Sequence, residues 1–300
     1  MKIGVSTFAW TTRLGRAQLD MLPKIKEMGL DGFEISMFDP TILPAVEIRR
    51  AFESSGLECT VCAILPSDIN PISPDAAVRQ RSRRHLVRCV ESAAACGATL
   101  IGGPLYAPIG FLPPHRPTLD QWAWAVEAFQ SLGEVLDTEQ ITLSIEPVNR
   151  SETLFLRTAA KARQLCEDIG HSRIGVSIDT YHANIEERSI VDAIYSLGPY
   201  LKHLHASEND RGLLGKGHVD FPSIVSALKS IGYGGYLTIE GFGYVPEDDT
   251  APGYLLADIN VSPEQLVRKG VEYLRPLIED CFSLPGAVGR ADESDTVRVR

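Results

Sequence analysis

No run of apolar residues in this chain reaches the roughly 18 that a membrane-spanning helix requires, so no membrane role is expected. Positive charge is also in short supply. Lysine and arginine total 29 against 39 aspartates and glutamates, for a formal net charge of -10. With no basic excess to neutralise phosphates, nucleic acid is not expected as a partner, and small neutral or cationic molecules remain. Cysteine is limited to Cys59, Cys62, Cys89, Cys96, Cys166 and Cys281, and only Cys59-x-x-Cys62 is closely spaced, inside an apolar run. That is neither a zinc framework nor a disulfide framework, and six reduced core thiols are expected. Met1 is followed by a strand pattern rather than by a charged region and an apolar stretch, so a cytoplasmic protein without a secretory leader is expected. The sequons Asn149-Arg150-Ser151 and Asn260-Val261-Ser262 then read as chance matches. Nucleotide-binding turns are missing as well. "RGLLGKG" lacks the G-x-x-x-x-G-K-[ST] frame, and no G-x-G-x-x-G follows the first strand.

What the sequence does contain is alternation. Short apolar runs at 2–9, 31–37, 58–65, 99–103, 141–146, 173–179, 200–206 and 236–240 are separated by helical patterns near 17–28, 43–55, 75–96, 118–138, 157–169, 189–197, 221–230 and 262–281. Strands alternating with helices argue for parallel βαβ units, and eight of them fit one closed (β/α)8 barrel, a TIM barrel, spanning 1–282. The polar tail "SLPGAVGRADESDTVRVR" at 283–300 is expected to be disordered.

Side chains alternate faces along a strand. In 141–146 the branched residues Leu143 and Ile145 share one face, and Ser144 and Glu146 the other. The same parity sets Ser177 and Asp179 opposite Val176 and Ile178, His203 and His205 opposite Leu204, and Thr238 and Glu240 opposite Leu237 and Ile239. The branched face suits packing under the outer helices, so the polar face points inward. Glu146, Asp179, His205 and Glu240 therefore all face the barrel interior, at the C-terminal ends of strands five to eight, where such barrels place their chemistry. Any one of them alone reads as an ordinary rim charge. Four at equivalent positions on successive strands do not. Three carboxylates this close would raise one another's pKa values, and a divalent cation removes the conflict. Three oxygens and one imidazole, with room for further oxygens, suit Mn²⁺, Co²⁺ or Mg²⁺ better than a structural zinc site. Glu34 faces inward by the same parity, and His203 is expected behind the ligands rather than among them. His85 and His171 are expected at the surface, and Trp122 and Trp124 in the core or an interface.

The segments "EPVNRSE", "DTYHANIEE", "HLHASENDRGLLGKG" and "IEGF" resemble the ketose 3-epimerases of the D-tagatose/D-allulose (psicose) and L-ribulose type, in the xylose-isomerase-like barrel superfamily. The resemblance covers about residues 2 to 282 and is strongest between 144 and 241. It implies the same four metal ligands, with Mn²⁺ as the leading ion. It also implies that Glu152, His182 and Arg211 hold O1 and O2 of a free ketose. Residue by residue the alternatives are a helix-start charge, a surface loop residue, and a partner of Asp210 or Glu208. The implied reaction is reversible inversion at C3 of ketohexoses or ketopentoses, such as D-allulose/D-fructose, D-tagatose/D-sorbose or L-ribulose/L-xylulose. It runs through a cis-enediolate, with Glu146 and Glu240 as acid/bases as well as ligands. An aldose–ketose isomerase or an inosose-type dehydratase on the same barrel is the alternative enzyme, and a sugar-binding barrel the alternative without catalysis. A homodimer or homotetramer is implied by analogy. Phe8, Trp10 and Tyr106 either wall the far end of the sugar or pack the rim. The 241–260 segment departs from the pattern and is expected to cover the site or form a subunit contact.

Overall fold

Each of the eight apolar runs forms a strand: β1 (Lys2–Ser6), β2 (Gly32–Met37), β3 (Glu58–Ala63), β4 (Leu100–Gly103), β5 (Thr142–Ile145), β6 (Ile174–Asp179), β7 (Leu201–Ala206) and β8 (Tyr236–Ile239). In the computed structural model, which describes residues 1–12, 14–242 and 261–280, they pair in chain order, all parallel, and β8 closes on β1. The chain is a (β/α)8 barrel, as its alternation predicts. β2 and β6 are buried along their whole length, because helices cover one face and barrel side chains fill the other. The tail at 283–300, Cys281 and residues 243–260 of the 241–260 segment lie outside the described residues. Among the described residues, no helix is long and apolar enough to cross a membrane. Five cysteines, Cys59, Cys62, Cys89, Cys96 and Cys166, are free and buried.

The outer layer comprises α1 (Arg16–Asp20), α2 (Leu22–Glu27), α3 (Ala45–Ser55), α4 (Ala76–Ala95), α5 (Leu119–Gln130), α6 (Gly133–Glu139), α7 (Ala159–Ile169), α8 (Thr180–Glu186), α9 (Ile190–Leu197), α10 (Phe221–Ser230) and α11 (Pro263–Asp280). Local chemistry sets their ends. Asp75 caps α4 by accepting from the Ala77 N–H, and Thr118 and Gln121 form a reciprocal capping box on α5. Gly56 and Gly170 adopt the left-handed conformation that ends α3 and α7. Two expected helices are broken. The pattern at 17–28 splits at Met21, where Pro23 enters the first turn of α2 and cannot donate to the turn before it. The pattern at 118–138 splits before Gly133, which packs against the His171 ring.

The strands are shorter than their apolar runs. Residues 7–9 form a 3₁₀ turn capped by Ser6, so β1 stops early. Glu146 and Glu240 are each the first residue past a strand. Their N–H groups still bond to the neighbouring strand, Glu146 to the Gly103 carbonyl and Glu240 to the Ala206 carbonyl, both at 3.1 Å. A register slip between Val176 and Ser177 sets Asp179 level with His205.

Gly103 is a fixed point of this arrangement. Its φ is +124°, a conformation that L side chains rarely adopt, and a Cβ there would run into the Ala63 carbonyl on β3. Gly103→Ala is expected to cost about 2 kcal/mol or more of stability, read as a lowered urea midpoint at unchanged slope. An unchanged midpoint would show that the barrel absorbs the strain.

Candidate active site

The strand ends bring Glu146, Asp179, His205 and Glu240 together. One ligand atom from each lies within 4.8 Å of all the others, and all four residues are buried. His205 Nδ1 is 3.3 Å from both Glu146 Oε1 and Glu240 Oε2. Burial pushes the Glu240 carboxyl up, to about 7, with Asp179 and Glu146 adding to the effect against Arg211 and His205. Burial also works against charge on Asp179, but Arg211, His182 and His205 hold its carboxyl below the usual range. Asp179 Oδ2 lies 2.7 Å from Arg211 Nη1, yet no donor is aligned on it, so this buried oxygen has no hydrogen bond. A buried acceptor in that position is a ready cation ligand. The donor set, three carboxylates and one imidazole, fits a hard or borderline divalent ion.

Glu34 on β2 sits behind the cluster. Its Oε1 is 2.9 Å from His205 Nε2 and its Oε2 is 2.8 Å from His203 Nε2. Burial would raise its pKa, but the two imidazoles outweigh that and hold the carboxyl well below its ordinary range. Facing a carboxylate, His205 Nε2 keeps a ring proton, so Nδ1, which faces the cluster, is the nitrogen that would give up its proton to serve as a cation ligand. Carboxylates commonly hold metal-binding histidines in this way. His203 stands at right angles to His205, with ring centroids 4.9 Å apart, behind the ligands as its parity predicts.

Arg211, His182 and Glu152 border the cluster. Arg211 Nη1 donates to Ser207 Oγ at 2.7 Å and to Glu240 Oε2 at 3.0 Å, and its Nη2 is 3.4 Å from His182 Nε2. Burial opposes its charge, but Asp179, Glu240, Glu146 and Glu152 outweigh that and push its pKa further up. Arg211 has a φ of +61°, uncommon for a residue with a side chain. Buried Glu208 pins this loop by accepting from the Gly215, Asn209 and Val219 N–H groups, so its carboxylate is not the partner of the Arg211 guanidinium. Asp210 accepts from Gly212 instead. Glu152, about a third exposed, lies 3.9 Å from His182 Nδ1. His182 is not on a loop. It is buried on α8, a helix that the sequence did not announce and that Asp179 caps through the Tyr181 N–H at 2.9 Å.

A cleft of about 450 Å³ opens onto these groups. Its far wall comes mostly from the first half of the barrel: Phe8, Phe38, Cys62, Ile64, Pro104 and Ile109. Phe242, two residues past Glu240, closes the wall edge-on to Phe8 at 6.1 Å. Trp10 and Tyr106 pack the rim instead. Trp10 leans on Phe33, and the Tyr106 hydroxyl donates to the Leu156 carbonyl at 3.0 Å. Several participants went unassigned in the sequence. Cys62 was legible by parity on β3. Ser207 and Tyr181, whose ring lies 4.3 Å from the Arg211 guanidinium, carry no sequence signal of their own. Asn149 is buried with its amide engaged, so its sequon is closed to modification, and Asn260 lies outside the described residues. His85 and His171, expected at the surface, are each half-buried. Trp122 and Trp124 are half-buried on α5, the first donating to Asp168 and the second lying under Arg79. Among the described residues, a hollow of about 440 Å³ at the opposite end of the barrel, around Lys202 and His171, contains no acidic cluster.

Residues 22–277 match the family model described as a xylose isomerase-like TIM barrel. L-ribulose 3-epimerase of Mesorhizobium japonicum is 33% identical over 242 residues, covering 80% of this chain and 81% of that protein. D-psicose 3-epimerase of Agrobacterium fabrum is 33% identical over 239 residues, covering 78% and 81%. Among solved structures, D-allulose 3-epimerase from Methylomonas sp. in complex with D-allulose superposes with a TM-score of 0.85 at 25% identity, covering 92% of this chain and 96% of that one.

If the four strand-end groups hold a cation only in the folded state, Mn²⁺ at a hundredfold excess over its Kd should stabilise the chelator-treated protein by about 2.7 kcal/mol, read as a rise in Tm. Asp179→Asn should abolish the rise. Glu34→Gln should weaken Mn²⁺ binding, measured by titration calorimetry, by about ten- to a hundredfold. Equal stabilisation of wild type and Asp179→Asn would place the ion elsewhere.

Proposed function

The chain belongs to the xylose isomerase-like TIM barrel family, within the ketose 3-epimerases, and from that premise we propose that it reversibly inverts C3 of free ketohexoses or ketopentoses. The observation that carries this reading is the convergence of two buried glutamates, separated around the barrel by β6 and β7, on one acidic cluster able to hold a cation, at the mouth of an apolar cleft.

The C3 hydrogen lies α to the C2 carbonyl and is too weakly acidic for a carboxylate in water. A divalent cation held by Glu146, Asp179, His205 and Glu240, proposed to be Mn²⁺ with Co²⁺ or Mg²⁺ as substitutes, supplies Lewis acidity toward the oxygens around that carbon. Glu146 and Glu240 do the proton work. One carboxylate takes the C3 proton, and the electron pair left behind delocalises into the carbonyl as an enediolate. The other, in its acid form, returns a proton to the opposite face, so configuration inverts and the two groups exchange protonation states. The same residues then serve the reverse reaction. Asp179 and His205 act as ligands only. Arg211 and His182 present N–H donors to substrate oxygens, and Glu152 presents an acceptor to a hydroxyl. Fixing O1 and O2 in this way holds C3 between the two glutamates. Among the described residues, the far wall offers apolar side chains and no cluster of cations, which supports unphosphorylated sugars as substrates. Exposed Leu112 and Leu119 offer apolar surface for the contact of a homodimer or homotetramer.

Incubation of the metal-loaded protein with a panel of ketopentoses and ketohexoses, followed by chromatography, should give C3 epimers, and chelation should stop turnover. Aldose products or dehydration products would replace this reading with another. Arg211→Ala should raise KM and lower kcat while the metal is retained.

The two glutamates allow a sharper test. Glu146→Gln and Glu240→Gln should both stop net epimerisation. In D₂O each variant should still exchange the C3 hydrogen of one epimer of a pair, and the two variants should label opposite epimers. Metal content is measured alongside, because glutamine keeps an oxygen but loses the charge. Labelling of both epimers by one metal-loaded variant would rule out a base on each face.

A further inference from the structure

Asn149 lies in the turn after Glu146, is 2% exposed, and touches two of the three groups assigned to the ketose end of the cleft. Its amide orientation is fixed by its neighbours. Oδ1 accepts from the Ser151 N–H at 2.8 Å, which leaves Nδ2 to donate to Glu152 Oε1 at 3.0 Å and to lie 2.8 Å from His182 Nδ1. The backbone N–H of Asn149 points at the same ring nitrogen at 3.3 Å. A backbone N–H can only donate. His182 Nδ1 is therefore an acceptor, and the ring proton sits on Nε2.

The other side of the ring faces the cleft. His182 Nε2 is 3.4 Å from Arg211 Nη2, which is also a donor, and 3.5 Å from Asp179 Oδ2, on which no donor is aligned, so neither donor satisfies the other and both are placed to take an oxygen from a ligand in the cleft. Glu152 beside them requires a hydrogen. Two donors and one acceptor side by side match the hydroxyketone end of a ketose, with its carbonyl oxygen against His182 and Arg211 and its O1 hydroxyl against Glu152. We infer that Asn149 is the positioning residue that holds His182 as its Nε2–H tautomer and sets Glu152 alongside it. This assignment rests on the epimerase reading for its meaning, but not for its geometry.

The surrounding fold does not depend on that amide. The Arg150 N–H and side chain both donate to Glu186 Oε1, at 2.7 and 2.8 Å, and the Ala159 N–H donates to Glu187 Oε1 at 2.7 Å. These bonds tie the end of α8 to the segment that follows Asn149. Asn149→Asp therefore makes a discriminating variant. Asp keeps the oxygen that accepts from Ser151, so a residue that merely holds the turn would tolerate it. It loses the donor to His182 and Glu152, and its second oxygen, in the place of an Nδ2 that lies 2.8 Å from Nδ1, would draw a proton onto Nδ1 against the longer 3.3 Å approach of the backbone N–H.

The test is a two-bond ¹H–¹⁵N correlation spectrum of the Mg²⁺-loaded, diamagnetic protein labelled in its seven histidines, with His182 assigned by its loss in His182→Gln. Wild type should show an unprotonated Nδ1 and a protonated Nε2, and Asn149→Asp should invert the pattern. In steady-state kinetics on the ketose that wild type turns over best, Asn149→Asp should raise KM by about tenfold or more, the scale of one mis-set hydrogen bond, while bound metal and melting temperature stay near wild type. A protonated Nδ1 in wild type, an unchanged tautomer in Asn149→Asp, or an inverted tautomer with unchanged KM would each overturn the assignment. Should wild type show the expected tautomer but neither bind nor convert any ketose, the epimerase reading falls and the link from Asn149 to His182 stands.

Discussion

Three carboxylates buried within 4.8 Å of one imidazole set the terms for everything around them. An isolated buried charge costs several kcal/mol even after relaxation, so such a cluster persists only where positive charge is delivered to it from every side. The protein delivers it with Arg211, which contacts Asp179 and Glu240, and with His205, which stands between Glu146 and Glu240. Burial opposes charge on His205, but Glu34, Glu240 and Glu146 outweigh it and push its pKa well up.

These demands explain features that would otherwise look like defects. Arg211 accepts an uncommon backbone conformation because its guanidinium must turn back toward the strand ends, and buried Glu208 holds the loop that makes the turn. Asp179 does two tasks with its two oxygens. One caps α8 and the other faces the cluster, so the residue that completes the acidic group also anchors the helix carrying His182.

The barrel and the four converging residues were legible because they follow from period-two alternation repeated on consecutive strands. Parity needs no knowledge of loops, and it also placed Glu34 and His203 correctly. Strand ends were less legible. Glu146 and Glu240 continue the apolar rhythm of their runs, yet they lie just beyond the strands, and only the backbone pairing with Gly103 and Ala206 reveals it. Helix α8 was hidden because its N-cap is a residue already read as a ligand, and "DTYHANIEE" has too few apolar positions to announce a helix. Asn149 was hidden for another reason. Its partners are three residues and 33 residues away, and the contact exists only once the ends of β5 and β6 stand side by side.

The acidic cluster and its cations all come from strands β5 to β8 and the segments that follow them, apart from the supporting Glu34. Most of the apolar far wall follows β1 to β4. The charged groups and most of the apolar wall thus occupy different stretches of one gene. A substitution at Phe38, Ile64 or Ile109 would reshape the cleft without disturbing a single charge, so an engineer can explore new ligands in the first half of the barrel while the charged half is left intact.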